Sequence, residues 1–340
     1  MRHVTIIAEA GVNHNGDFVL AKRLVEEAAL AGVDYVKFQT FKAENLVTKA
    51  AKKASYQIEN INDGDNSQFQ MLKNLEMPYE WHSDLFEYAK ELGIKFLSTG
   101  FDEESIDFLN DLGVDLFKIP SGEITNKPYL EHIACKGKPI IISTGMANME
   151  EIRDAIKVLN GKGVLKENII ILHCNTEYPT PMSDVNLLAM NYIKDFLGVE
   201  VGYSDHTLGI EVPIAATALG AIVIEKHFTI DRNLSGPDHK ASLEPKELRD
   251  MVQAIRNVEK AVAGNGIKEP SESELKNLSI VRKSLHFRND LPSGHLVNEN
   301  DLITLRPGYG ISPMKIENYI GRKLNQNVAA FSMVDTIQSV

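Results

Sequence analysis

Cysteine is scarce in this sequence: Cys135 and Cys174 are the only 2 among 340 residues. Two cysteines cannot build a disulfide framework, and they lack the paired spacing of a zinc knuckle, so a reducing compartment fits best. No apolar run approaches the ~20 residues that a membrane span needs, and Met1 leads straight into a strand pattern with no targeting segment before it. The chain reads as cytoplasmic. An excess of positive charge is missing too. Lysine and arginine number 36 against 47 acidic residues, a formal charge of −11. That balance argues against a nucleic-acid surface and gives an anionic ligand no long-range attraction, so any phosphate site must be built locally. The first turn, Glu9-Ala10-Gly11-Val12-Asn13-His14-Asn15-Gly16, also lacks the glycine spacing of a dinucleotide-binding loop.

What the chain does have is 43% hydrophobic residues, enough for one large core and a small second domain. Short apolar runs at Val4–Gly11, Tyr35–Phe41, Lys95–Gly100, Leu116–Glu123, Pro139–Met146, Ile169–Asn175, Glu200–Thr207 and Ala221–Thr229 alternate with helical patterns near 17–31, 79–92, 102–112, 127–136, 149–160, 186–197, 209–219 and 245–263. Regular strand–helix alternation predicts parallel strands, and eight units match a closed (β/α)8 TIM barrel of about 250 residues. The barrel is expected over 1–265. Residues 266–279 read as a linker from Gly264-Asn265-Gly266 and Glu269-Pro270-Ser271, and a small, mostly β domain is expected over 280–340. A polar insertion at 42–77, too long for an ordinary barrel loop, is a candidate lid or interface arm.

Barrel active sites form at the C-terminal strand ends. Nearly every predicted strand finishes in polar or ionisable residues: Glu9; Lys37 and Gln39; Ser98 and Thr99; Lys118, Ser121 and Glu123; Ser143 and Thr144; His173 and Asn175; Ser204, Asp205 and His206; Glu225 and His227. Alternate residues of a strand face the barrel interior, so Lys37 and Gln39 point inward while Val36 and Phe38 suit the helix layer. Glu225 shares a face with His227, and Ser204 with His206. Histidines at the ends of neighbouring strands about 4.8 Å apart can hold one ion, or can be hydrogen-bonded core residues. Two buried lysines are costly without a partner, which suggests an anionic ligand between Lys37 and Lys118, with Thr99, Ser121, Ser143 and Ser204 as neutral donors.

These motifs, together with Lys118-Ile119-Pro120-Ser121-Gly122-Glu123, His173-Cys174-Asn175-Thr176-Glu177-Tyr178-Pro179, Gly202-Tyr203-Ser204-Asp205-His206-Thr207, Glu225-Lys226-His227-Phe228-Thr229 and Gly236-Pro237-Asp238-His239, resemble the sialic acid synthases in order over essentially the whole chain. The resemblance implies a barrel with a C-terminal antifreeze-like (SAF) domain, matched around Arg306-Pro307-Gly308-Tyr309-Gly310. It implies a homodimer in which each small domain covers the partner's barrel. It also implies condensation of phosphoenolpyruvate with an N-acylated hexose, N-acetylmannosamine first, with the diacetylated 6-deoxy sugar that leads to legionaminic acid as the alternative. By the same resemblance His206 and His227 would hold manganese or magnesium. Lys37, Thr99, Lys118, Ser121, Ser143 and Ser204 would hold phosphoenolpyruvate, and Gln39, Tyr178, Asp238 and the partner's copy of Arg306 the sugar. Glu9 and Glu123 are the candidate general acid and base. Gly100 departs from the family's proline. A sugar-phosphate condensing enzyme would need a second cationic cluster, a barrel hydrolase would gather more ligands near the first strand, and a non-catalytic sugar-binding protein would not need both lysines and both histidines.

Overall fold

The structure is a computed structural model that describes residues 3–335; Met1, Arg2 and residues 336–340, the last part of the expected small domain, lie outside it. Eight parallel strands run β1 Thr5–Gly11, β2 Tyr35–Thr40, β3 Lys95–Gly100, β4 Phe117–Ile119, β5 Ile140–Ser143, β6 Ile169–His173, β7 Glu200–Asp205 and β8 Val223–His227. Their hydrogen-bonded order is β3-β2-β1-β8-β7-β6-β5-β4, and β3 and β4, the two ends of that order, lie against each other. The architecture is a TIM-like barrel, with helices between successive strands. Local chemistry sets the helix ends. Asp17 accepts from the Val19 and Leu20 amides to start the helix Phe18–Ala31, and Gly32 at φ 76° stops it. Ala21, Leu24, Val25, Ala28 and Ala31 form its buried stripe, the spacing of a helix with one face on a core.

Two apolar layers follow from strand parity. Val36 and Phe38 join the large core between strands and helices, while Ile7, Tyr35, Leu97, Ile141, Leu172 and Val223 fill the barrel interior. Gly202 is required by that filling, since a Cβ there would lie 2.2 Å from the Val223 carbonyl oxygen and 2.7 Å from Leu172 Cδ2.

Several strands stop earlier than their apolar runs suggest. β4 ends at Ile119 because Pro120 has no amide to donate, and Ser121–Glu123 then form a 3-10 turn. The insertion folds into short helices, Ala43–Leu46, Ser55–Ile61 and Gln68–Leu75. Met71 and Leu75 pack with Val12 and Phe41 into a separate apolar cluster.

The chain divides into two compact units between Ala263 and Gly264. In the second, much of the stretch read as a linker is the helix Glu272–Val281, opened by a capping box of Ser271 and Glu274. Beyond it β9 Ser284–Phe287 and β10 Leu302–Leu305 pair antiparallel, and isolated bridges join Leu291 to Val328 and Leu296 to Lys323. Leu285, Phe287, Val297, Leu302, Leu324 and Val334 are in its core. No helix among the described residues is long and apolar enough to cross a membrane.

Candidate active site

The C-terminal strand ends open into a pocket of about 520 Å³, within the usual range for a small-molecule site. The barrel residues that the family resemblance assigns a role line it: Glu9, Lys37, Gln39, Thr99, Lys118, Ser121, Glu123, Ser143, Tyr178, Ser204, His206, His227 and Asp238. Arg306 belongs to the second unit, where it is exposed and its Nε donates to the Val281 carbonyl at 2.9 Å.

The floor is a buried quartet of two lysines and two glutamates. Register places Glu9 of β1 beside Lys37 of β2 on one side and His227 of β8 on the other. Lys37 Nζ lies 2.5 Å from Glu9 Oε2 and 3.5 Å from Glu225 Oε2, and donates to Thr99 Oγ1 at 3.0 Å. Lys118 Nζ donates to Glu225 Oε1 at 3.0 Å, which also accepts from the Ser204 hydroxyl at 2.9 Å. Charges survive burial only when paired in this way. Glu225 was read onto the inner face but not assigned a role. Its place between both lysines makes it a central member of the site, and its inward parity with His227 was the available signal.

The two carboxyls are driven apart. Burial pushes Glu9 up to about 7, helped by the negative charge of Glu225 and opposed by Lys37. Burial acts the same way on Glu225, but Lys118 and Lys37 overcome it and hold that group well below the usual carboxylate range. Burial lowers Lys118 despite Glu225; it would lower Lys37 too, but Glu225 and Glu9 outweigh it and leave that group raised. Of the two carboxyls, Glu9 is the more readily protonated.

At the side of the quartet, the imidazoles of His206 and His227 have centroids 5.4 Å apart. His206 Nδ1 lies 2.5 Å from the Asn175 carbonyl oxygen; a carbonyl can only accept, so Nδ1 carries the proton and Nε2 keeps its lone pair. Burial lowers His206 to about 4 and holds His227 well below the usual imidazole range, so both rings are neutral at pH 7. His227 Nδ1 is buried without a hydrogen-bond partner. Two neutral imidazoles, one oriented by a backbone carbonyl, suit a divalent ion. No group of three or more His, Cys, Asp or Glu side chains among the described residues forms a cage, so further ligands would be water or substrate oxygens. Tyr178 packs on both rings, at 4.1 Å from His206 and 5.7 Å from His227, and stacks on Tyr56 of the insertion at 5.0 Å. Burial raises Asp238 to about 6, with Lys37 opposing.

Some sequence expectations are corrected. Glu123 does not end a strand; it sits half-buried in the 3-10 turn, where its Oε2 accepts from Asn126 at 2.6 Å. Ser98, Thr144, His173, Asn175 and Asp205 do not join the ring around the pocket. Ser98 bonds Thr40, His173 bonds the Val185 carbonyl, and Asp205 pairs with Lys226. Gly100 leaves Thr99 on the pocket, and its carbonyl accepts from the Tyr129 hydroxyl at 2.6 Å. The insertion, expected as a lid or interface arm, supplies Leu46, Val47, Ala54, Tyr56, Gln57, Gln68, Met71, Leu72 and Leu75 to the lining, residues that the sequence did not single out.

Residues 24–268 match the model of the NeuB family, and residues 282–332 match that of the SAF domain. The N,N'-diacetyllegionaminic acid synthase of Campylobacter jejuni is 54% identical over 327 residues, covering 96% of this chain and 97% of its own. The protein of the same name from Legionella pneumophila is 53% identical over 328 residues, covering 96% and 91%. Among solved structures, the N-acetylneuraminic acid synthetase of Leptospira borgpetersenii superposes with a TM-score of 0.71 at 36% identity, over 81% of this chain and 90% of the other.

Proposed function

The chain belongs to the NeuB family of nonulosonic acid synthases, and from that premise we propose that it condenses phosphoenolpyruvate with a diacetylated 6-deoxy hexose, releasing phosphate and N,N'-diacetyllegionaminate. The motifs do not choose the acceptor, and analogy with the family puts N-acetylmannosamine first. The two legionaminic acid synthases, more than half identical over nearly the whole chain, support the alternative acceptor instead. The observation that carries the chemistry is the buried Glu9–Lys37–Glu225–Lys118 quartet beside two neutral imidazoles.

On this reading Lys37 and Lys118 hold the anionic groups of phosphoenolpyruvate, with Thr99, Ser121, Ser143 and Ser204 as neutral donors. C3 of the enol attacks the aldehyde carbon of the open-chain sugar, and the electron pair of the C=C bond forms the new C–C bond. Positive charge left at C2 is met by water; the C2–O bond to phosphate then breaks, and phosphate leaves with the bonding pair. Glu9, titrating near 7, takes or returns a proton at the attacking water or the new hydroxyl. Glu123 on the rim, with Gln39, Tyr178 and Asp238, orients sugar hydroxyls. His206 and His227 would hold manganese or magnesium, which would supply Lewis-acid stabilisation of negative charge growing on the aldehyde oxygen. The enzyme works as a homodimer in the cytoplasm, where phosphoenolpyruvate is made, with Arg306 of one protomer reaching the sugar in its partner.

The deciding experiment is phosphate release with phosphoenolpyruvate and a panel of acceptors: the diacetylated 6-deoxy sugar, N-acetylmannosamine and its 6-phosphate. The diacetylated sugar should give the highest kcat/KM. A higher value with N-acetylmannosamine would overturn the acceptor assignment, and no phosphate release with any of the three would overturn the reaction.

A further inference from the structure

The pocket has two unlike sides. Its floor is charged, whereas the insertion contributes Leu46, Val47 and Leu72, each half-buried and therefore reachable, backed by buried Met71 and Leu75; Phe101 continues the surface from the end of β3, and the insertion's polar contributions to the lining are Tyr56, Gln57 and Gln68. Among the described residues lining the pocket, the only ammonium or guanidinium groups are Lys37 and Lys118, both paired at the floor. The insertion's own buried lysine, Lys53, is tied to Asp63 at 2.8 Å, and Lys42 pairs with Glu104. This wall offers nothing to neutralise a phosphate on the acceptor. It offers a hydroxymethyl group nothing either, because a hydroxyl pressed against Leu46, Val47 and Leu72 loses water without gaining a partner. A methyl group gains by the same contact.

We propose that the 42–77 insertion is the specificity element of this enzyme: the wall of Leu46, Val47 and Leu72 seats the deoxygenated C6 methyl and an acyl methyl of the acceptor. Discrimination then comes from the apolar side chains of Leu46, Val47 and Leu72 rather than from the insertion's polar lining residues, Tyr56, Gln57 and Gln68. The inference rests on the diacetylated 6-deoxy acceptor being the right one, and deepens that reading by assigning the residues that select it.

The test compares Leu72→Gln, which places an amide on the wall, and Val47→Thr, an isosteric change at a half-buried site, with the unaltered protein. For each, kcat/KM is measured with the diacetylated 6-deoxy sugar and with N-acetylmannosamine, along with the KM for phosphoenolpyruvate and the melting temperature. The ratio of the two kcat/KM values should shift toward N-acetylmannosamine by about tenfold in Leu72→Gln and less in Val47→Thr, the size expected for one apolar contact in a pocket. The KM for phosphoenolpyruvate should move less than that for the sugar. If the unaltered protein prefers the diacetylated sugar but both variants keep its ratio, the wall does not select and this inference falls alone. If the unaltered protein prefers N-acetylmannosamine, the acceptor reading fails and takes the inference with it. Should Leu72→Gln lose its folding transition, the ratio in Val47→Thr decides.

Discussion

Lys226 and Asp205 form a fully buried ion pair, Nζ to Oδ2 at 2.5 Å, between register partners on β8 and β7. Each residue immediately precedes one of the paired histidines. The lysine also donates to the Thr207 carbonyl, and Asp205 accepts from the Thr207 amide and hydroxyl, each at 3.0 Å. Replacing Lys226 with Met leaves the Asp205 carboxylate buried with two neutral donors and no counter-charge, which costs about 3–5 kcal/mol. Asp205→Asn strands the ammonium in the same way. The double replacement removes both charges, so its cost should fall short of the sum of the singles by about 1–3 kcal/mol. Urea unfolding of the barrel, followed by circular dichroism at pH 7, gives all three values, and manganese binding by calorimetry reports on the histidines. If the pair braces the two strand ends that carry His206 and His227, either single variant should weaken manganese binding about tenfold or more. Single variants costing under about 1 kcal/mol, or an additive double variant, would refute the claim that the pair braces the two strand ends.

Three further outcomes are expected. Chelation should abolish phosphate release, and manganese should restore it; His227→Ala should lose turnover and calorimetric manganese binding while keeping its circular dichroism spectrum. For Asp238, a carboxyl raised by burial from 3.8 to about 6 stays protonated in the folded state while the unfolded state ionises. Unfolding therefore releases a proton between those values, and stability falls by about 3 kcal/mol as pH rises through that window; urea midpoints across pH 3.5–7 should show this slope flattened in Asp238→Asn. Arg306→Ala should mainly raise the KM for the sugar, and mixing it with His206→Ala under conditions of proven subunit exchange should return some activity, measured as phosphate release above either protein alone.

Strand parity was legible because it depends only on a period of two. Lys37 and Gln39 face inward and Val36 and Phe38 outward, as that period requires. The barrel followed from the regular spacing of apolar runs. Glu225 shows the limit: its inward face could be read, but its contacts with Lys37 and Lys118 join strands far apart in sequence, and no local pattern encodes them. The insertion was legible as a candidate lid or arm, but its pocket-lining residues were not, for a different reason. Leu46, Val47, Met71, Leu72 and Leu75 are scattered over short helices among polar residues, so no long periodic stripe announces that they meet. Glu123 was misread because an apolar run alone does not reveal that Pro120 ends the strand ladder.

The floor of the pocket also bears on how an anion enters a protein whose formal charge is −11. With both glutamates ionised the quartet is neutral, so its lysines are already desolvated and charged before any substrate arrives. On the proposed reading, phosphoenolpyruvate exchanges places with a carboxylate that is already there, as an ion does on a resin. A displaced Glu9 loses the Lys37 ammonium, which opposes the upward push of burial on its carboxyl, so it takes up a proton more readily and substrate capture becomes linked to proton uptake. On the same reading the affinity of the site for its anion should depend on buffer acidity, while the exchanging ion pairs themselves, being buried, are screened little by mobile salt.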